Sequence, residues 1–152
     1  MTSDRSAISA GCVVTREGPA GTEVLLVHAR GATFKRPLFG IPKGLVEEGE
    51  SLRETARRET EEETGLRVAL GADLGSVRQK SGKTVHAFHA TVAPESLALI
   101  DERGRCTRHD AENDVCRFYA LAEARALMIE AQREFLDRVE DERRNSKDPR
   151  LE

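Results

Sequence analysis

Glu59, Glu62 and Glu63 stand at i, i+3 and i+4, the spacing that groups three side chains on one face of a helix. The stretch around them, "GLVEEGESLRETARRETEEETGL" from Gly44 to Leu66, holds eight glutamates against three arginines. On a helical wheel Leu52 and Ala56 mark a buried stripe, Glu59 and Glu63 continue it, and Glu62 lies beside it. Glu54 and Glu61 point to solvent. Inward carboxylates this close raise one another's pKa through desolvation and repulsion. A divalent cation removes both costs, and hard oxygen donors select Mg²⁺ or Mn²⁺. Arg58, beside Glu59, can orient a carboxylate through a charge-assisted hydrogen bond.

The elements that must position this face can be read from pattern. Ser51 to Thr64 contains neither Gly nor Pro, Ser51 and Glu54 form a capping box, and Gly65 supplies the stop. "AISAGCVVT" (Ala7–Thr15) and "TEVLLVHA" (Thr22–Ala29) are apolar runs of strand length, joined by "REGPAG" into a hairpin. Two further strands are expected at about Arg67–Gln79 and Lys83–Val92, around the turn "KSGK". A loose charged loop, "PESLALIDERGRCTRHDAEND", precedes a last strand at Val115–Leu121. Ala122 to about Arg143 is helical, as one helix or two, with Leu127, Met128, Ala131, Phe135, Leu136 and Val139 at core-facing spacing. Phe88 and Phe135 are expected in the core. The pattern predicts an α/β (α+β) sandwich with a mixed central sheet. A single domain is expected over 7–143, with a flexible N-terminus at 1–6 and a flexible tail at 144–152.

Of the 152 residues 34% are charged, yet the net charge is only −3, which argues against binding duplex nucleic acid. The three cysteines, Cys12, Cys106 and Cys116, are far apart and outline no disulfide framework. Neither a signal peptide nor a membrane span is visible, so a cytoplasmic protein away from membranes, monomer or homodimer, is expected. His86 and His89 would face opposite sides of a strand, and Cys106 with His109 has no second pair of ligands. Neither makes a zinc site.

Gly44, Glu50, Arg58-Glu59, Glu62-Glu63 and Gly65-Leu66 occupy fixed offsets. Together they resemble the Nudix box, G-x5-E-x7-R-E-U-x-E-E-x-G-U with U aliphatic. Thr60 departs at one U position, where a β-branched residue of valine size still packs. Seven identities at fixed offsets arise by chance on the order of once in 10⁸ placements. The resemblance implies an α/β/α sandwich and a hydrolase that cuts a nucleoside diphosphate linked to another moiety, X, by attack of water on phosphorus. It implies Glu59, Glu62 and Glu63 as ligands of Mg²⁺ (Mn²⁺ as substitute), joined by the Gly44 carbonyl. Arg58 would orient the carboxylates, and Glu50 would support the loop or a second metal. The general base would be a box glutamate or a residue outside the box, of which Glu112 is the best placed.

Outside the box the chain is similar to the diadenosine tetraphosphate hydrolase branch. Phe39 stands before "IPKG", Lys83-Thr84-Val85 opens a later strand, and Glu112 precedes Arg117-Phe118. The implied substrate is a dinucleoside polyphosphate, split to ATP and AMP. Lys43, Lys80 and Lys83, with Arg78, Lys35 and Arg36, would supply positive charge near the phosphates. Phe39, Phe118 or Tyr119 would stack on a base. Two alternatives are a house-cleaning pyrophosphatase for damaged (d)NTPs and a non-catalytic nucleotide-binding regulator. Regulators of that kind typically lose box acids, which here are present.

Overall fold

The computed structural model of the chain describes residues 8–19, 21–32 and 39–146. The segment 1–6, Ala7, the end of the tail at 147–152, and the cations Lys35 and Arg36 lie outside them. Six strands form one mixed sheet: β1 (Ile8–Gly18), β2 (Gly21–Ala29), β3 (Lys43–Leu45), β4 (Val68–Arg78), β5 (Thr84–Val92) and β6 (Asn113–Ala120). Their order is β4-β5-β1-β2-β6, with β3 paired to β1 off this path.

β1 organises the sheet. One edge runs parallel to β5, from Ile8 opposite Thr84 to Thr15 opposite Thr91. Its other edge pairs first with β3, through Ser9–Leu45 and Gly11–Lys43, and then with β2, through Thr15–Val24 and Gly18–Gly21. Both pairings are antiparallel. The β1–β2 and β4–β5 hairpins stand where the turn chemistry placed them.

Side chains alternate between two apolar layers, as strands buried on both faces require. Ala10, Cys12, Val14, Leu25, Val27, Phe88, Cys116 and Phe118 share one layer with Ala56 and Leu66. Val13, Val24, Leu26, Val85, Ala87 and Tyr119 share the other with Ala124, Phe135, Leu136 and Val139. The first layer is covered by helix α1 (Leu52–Thr64), the second by α2 (Leu121–Leu127) and α3 (Arg133–Ser146). This is the α/β/α sandwich. Among the described residues no helix is long and apolar enough to cross a membrane.

Two segments differ from the sequence reading. "PESLALIDERGRCTRHDAEND" is not loose throughout. Pro94 starts a 3₁₀ turn over Pro94–Leu99, Ile100 bridges Cys106, and the Asp101 carboxylate accepts from the backbone N–H groups of Arg103 and Arg105, each at 2.9 Å. The C-terminal helical region is two helices. Met128 turns extended (φ −78°, ψ 151°), and a short 3₁₀ turn at Glu130–Gln132 precedes α3. Phe39 occupies the break: its N–H donates to Leu127 O (3.2 Å) and its carbonyl accepts from Ile129 N–H (2.9 Å). α3 itself continues to Ser146, past the boundary expected at 143.

Candidate active site

α1 begins as its capping box requires. Ser51 accepts from the Glu54 backbone N–H at 3.1 Å, and the Glu54 carboxylate accepts from the Ser51 N–H at 2.8 Å. It ends at Gly65, left-handed at φ 79°, whose N–H donates to Glu61 O at 2.8 Å. Four small side chains, Thr55, Ala56, Thr60 and Thr64, make the buried seam and let the helix lie close to the sheet. Thr60 is fully buried where an aliphatic residue was expected.

This seam sets the directions of the acids. Glu59 and Glu63 lie beside it and are half-buried, whereas Glu62 has 56% of its side chain exposed. Glu62 therefore does not face inward as expected, because the seam runs through Thr60 and Thr64 and turns position 62 outward. Glu59 packs on β3. A β-carbon on Gly44 would stand 2.0 Å from the Glu59 carboxyl carbon, so only glycine admits the carboxylate there.

Arg58 joins the acids. Its Nε and Nη2 donate to both oxygens of Glu50 at 2.6 and 2.9 Å, and its Nη1 donates to Glu59 at 2.9 Å and Glu62 at 3.1 Å. Glu50 also accepts from the Thr55 hydroxyl (2.7 Å) and the Glu47 N–H (3.2 Å). The Arg58 bonds, followed by the Thr55 hydroxyl, hold the Glu50 carboxyl down at about 2. The same bonds, that to Glu50 first, hold Arg58 firmly protonated.

The inner acids shift the other way. Burial raises Glu59, against the hydrogen bond and charge of Arg58. Burial pushes Glu63 up to about 8 against the pull of Lys43, and Glu59 and Asp110 add to the rise. Lys43 is lowered, first by burial and then by the charge of Lys83, while Glu63 and Glu59 oppose the change. Burial disfavours the charged forms of Glu59, Glu63 and Lys43 alike, a cost that a cation on the acids and a polyanion on the lysine would offset together.

Lys43, Glu63 and Glu112 line one cavity of about 290 Å³, with Gly40, Ile41, Asn113, Ile129 and Gln132. It lies where β3, the end of α1, the loop before β6 and the α2–α3 junction meet. Two roomier cavities along β6, of about 480 and 600 Å³, hold none of the box residues.

Several expected substrate contacts lie elsewhere. Phe39, Phe118 and Tyr119 are 5%, 3% and 7% exposed. Phe39 packs between His28 and Tyr119 at ring distances of 4.8 and 5.8 Å, and Phe118 lies under the guanidinium of Arg16 at 4.7 Å. Phe39 is taken up by the protein's own packing, whereas Phe118 and Tyr119 touch the cavities along β6 and not the one at the box. Lys80 is almost fully exposed, 3.6 Å from Glu130, and does not line the cavity.

The sequence reading missed Gln132 and Asn113. Gln132 is fully buried: its Oε1 accepts from the Ile41 N–H at 2.9 Å and its Nε2 donates to Gln79 at 2.9 Å. It ties the "IPKG" segment to the end of β4. A glutamine in an amphipathic helical pattern carries no local mark of this. Glycine at 40 does, since a β-carbon there would meet Gln132 at 3.0 Å.

The donor set fits a hard divalent ion. Glu59 and Glu63 are partly buried oxygen donors on one turn, and Gly44 brings a backbone strand against Glu59 with no side chain between. Among the described residues no three His, Cys, Asp or Glu side chains are already gathered as a metal centre. Glu59 and Glu62 instead hold Arg58.

The profile of the NUDIX domain matches residues 5–139. The chain belongs to the Nudix family. Over 79 residues it is 35% identical to a Mycobacterium tuberculosis protein provisionally named as mutator protein MutT4, covering 47% of this chain and 32% of that one. Over 71 residues it is 38% identical to a Bacillus subtilis protein provisionally named as an 8-oxo-dGTP diphosphatase, covering 46% and 45%. The chain thus spans less than half the length of these curated relatives. Among solved structures, the Ap4A hydrolase of C. elegans in a binary complex superposes with a TM-score of 0.69 at 21% identity, over 88% of this chain and 96% of that one. At that identity the likeness shows the fold.

Proposed function

We propose that this chain is a divalent-metal-dependent pyrophosphohydrolase that opens the phosphoanhydride of a nucleoside diphosphate linked to X. The observation that carries it is the placement of Glu59 on Gly44 and of Glu63 on Lys43, with Arg58 bridging Glu50, Glu59 and Glu62. When bound at Glu59, Glu62, Glu63 and the Gly44 carbonyl, Mg²⁺ or Mn²⁺ supplies Lewis-acid polarisation and lowers the pKa of water. Arg58 holds Glu59 and Glu62 in orientation. Lys43, with Lys83 beside it, places positive charge against the phosphates. Glu112, in the same cavity as Glu63, takes the proton from the attacking water.

The favoured substrate is a dinucleoside polyphosphate such as diadenosine tetraphosphate, supported by Phe39 through Gly44 ("FGIPKG") and Lys83-Thr84-Val85. A second reading, a pyrophosphatase for damaged (d)NTPs, is supported by the burial of Phe39, Phe118 and Tyr119, which leaves little ring face for a second base. The names of the two curated relatives agree with it. A product-resolved panel decides between them. ATP plus AMP from the dinucleotide supports the first, monophosphate plus pyrophosphate from (d)NTPs supports the second, and nucleotide binding without turnover supports a regulator instead.

A further inference from the structure

We infer that Arg30 is a positioning residue for Glu112, fixing the loop that presents this carboxylate to the cavity. The inference rests on the proposed role of Glu112 as the acceptor of the water's proton.

Glu112 is carried by the loop that enters β6, and a base on a mobile loop would spend little time in reach of its proton. Arg30 stands just past β2 and reaches this loop twice. Its backbone N–H donates to the Glu112 carbonyl at 2.8 Å, and its side-chain Nε donates to the Ala111 carbonyl at 2.8 Å. These two carbonyls belong to the peptide units on either side of the Glu112 α-carbon. One residue therefore holds both planes that set where the Glu112 side chain leaves the backbone.

The loop is also held from the opposite direction. The Asp110 N–H donates to Glu63 O at 3.0 Å, and Asn113 Nδ2 donates to Asp110 Oδ1 at 2.9 Å. Between these anchors the β2–β6 register passes from His28–Val115 to Ala29–Asn113 and leaves Asp114 as the extra residue of a bulge. His28, fully buried, keeps Nδ1 2.8 Å from the Asp114 carboxylate. Bulges of this kind re-aim the side chains beside them. The loop is thus tied to α1 by its own backbone and to β2 by Arg30. The main-chain bond of Arg30 survives any replacement except proline, so only the Nε bond depends on the side chain.

A positioning arginine and a mere surface pin differ in their effect on rate. The two roles separate in a double-mutant cycle with steady-state kinetics across pH. Wild type, Arg30→Ala, Arg30→Lys, Glu112→Gln and the double variant are assayed with saturating Mg²⁺ on diadenosine tetraphosphate and dGTP. Glu112→Gln is expected to lower kcat roughly 10²-fold. Arg30→Ala is expected to lower kcat about tenfold, with KM changed less than about twofold, since loss of position costs rate more than binding. The double variant should be no slower than Glu112→Gln, and Arg30→Lys should recover part of the rate. Arg30→Ala with wild-type kcat, or slowing Glu112→Gln by the same factor as wild type, overturns the inference and leaves the role of Glu112 intact. Glu112→Gln at wild-type rate overturns that role and the inference with it. No turnover of either substrate by the wild type overturns the hydrolase reading instead.

Discussion

Gly44 lies so close to Glu59 that a β-carbon on it would stand 2.0 Å from the Glu59 carboxyl carbon. Gly44→Ala must displace that carboxylate, and the obstructed atoms are the end of a flexible side chain, so the fold has room to survive. The Mg²⁺ concentration for half-maximal activity is expected to rise by about 10- to 100-fold, the usual cost of misplacing a metal ligand's surroundings. Metal titration of the rate, beside a melting curve close to wild type, checks this.

Arg58 serves three carboxylates at once, and its fork to Glu50 is bidentate. Arg58→Lys cannot reproduce that geometry and should behave more like Arg58→Ala than like wild type. Arg58→Ala is expected to lower the urea midpoint, chiefly because the partly buried Glu59 loses its donor. The rate should fall further than stability alone explains.

Besides the site acids, two groups away from the site respond to acid and to alkali. Backbone N–H of Arg105 first, then that of Arg103 and the Arg105 guanidinium, hold Asp101 below its usual value. Its stabilisation is present above the ordinary 3.8 and lost as pH falls through the depressed folded value. Burial pushes the Cys12 thiol up to about 11 from 9.0, so the unfolded chain releases that proton first and stability falls as pH rises from 9.0 toward 11. Urea midpoints against pH check both limbs, and Asp101→Asn should make the acid one shallower while the share of Glu50 persists. The three free cysteines are all buried, so a thiol reagent near neutral pH should label none in the native protein and all three after unfolding.

The layer beneath α2 and α3 closes around Phe135, which is fully buried. Phe135→Ala should cost about 3–5 kcal/mol in chemical denaturation. A loss below about 1 kcal/mol would mean that α3 does not depend on this contact.

Much of this architecture is written locally. Ser51, Glu54 and Gly65 specify both ends of α1, and Leu25 and Val27 against Val24 and Leu26 announce a strand buried on both faces. What escapes the sequence depends on partners distant along the chain. The break between α2 and α3 comes from Phe39 pairing with Leu127 and Ile129, with neither Gly nor Pro to signal it. Glu62 turns outward because threonines at 60 and 64, polar in type, fill the seam. Phe39, Phe118 and Tyr119 look available in the sequence and are enclosed in the structure. Gln132 joins the site through contacts with Gly40, Ile41 and Gln79, far from it in sequence.

The most direct test of the central claim compares wild type with Glu63→Gln in a product-resolved hydrolysis panel, with Mg²⁺, with Mn²⁺ and with chelator. Wild type should cut a phosphoanhydride of diadenosine tetraphosphate or of a (d)NTP only when metal is present, and Glu63→Gln should be slower by at least about 10²-fold while still folded. Metal-independent turnover, or a Glu63→Gln variant as fast as wild type, would contradict the assignment of the α1 acids to the chemistry.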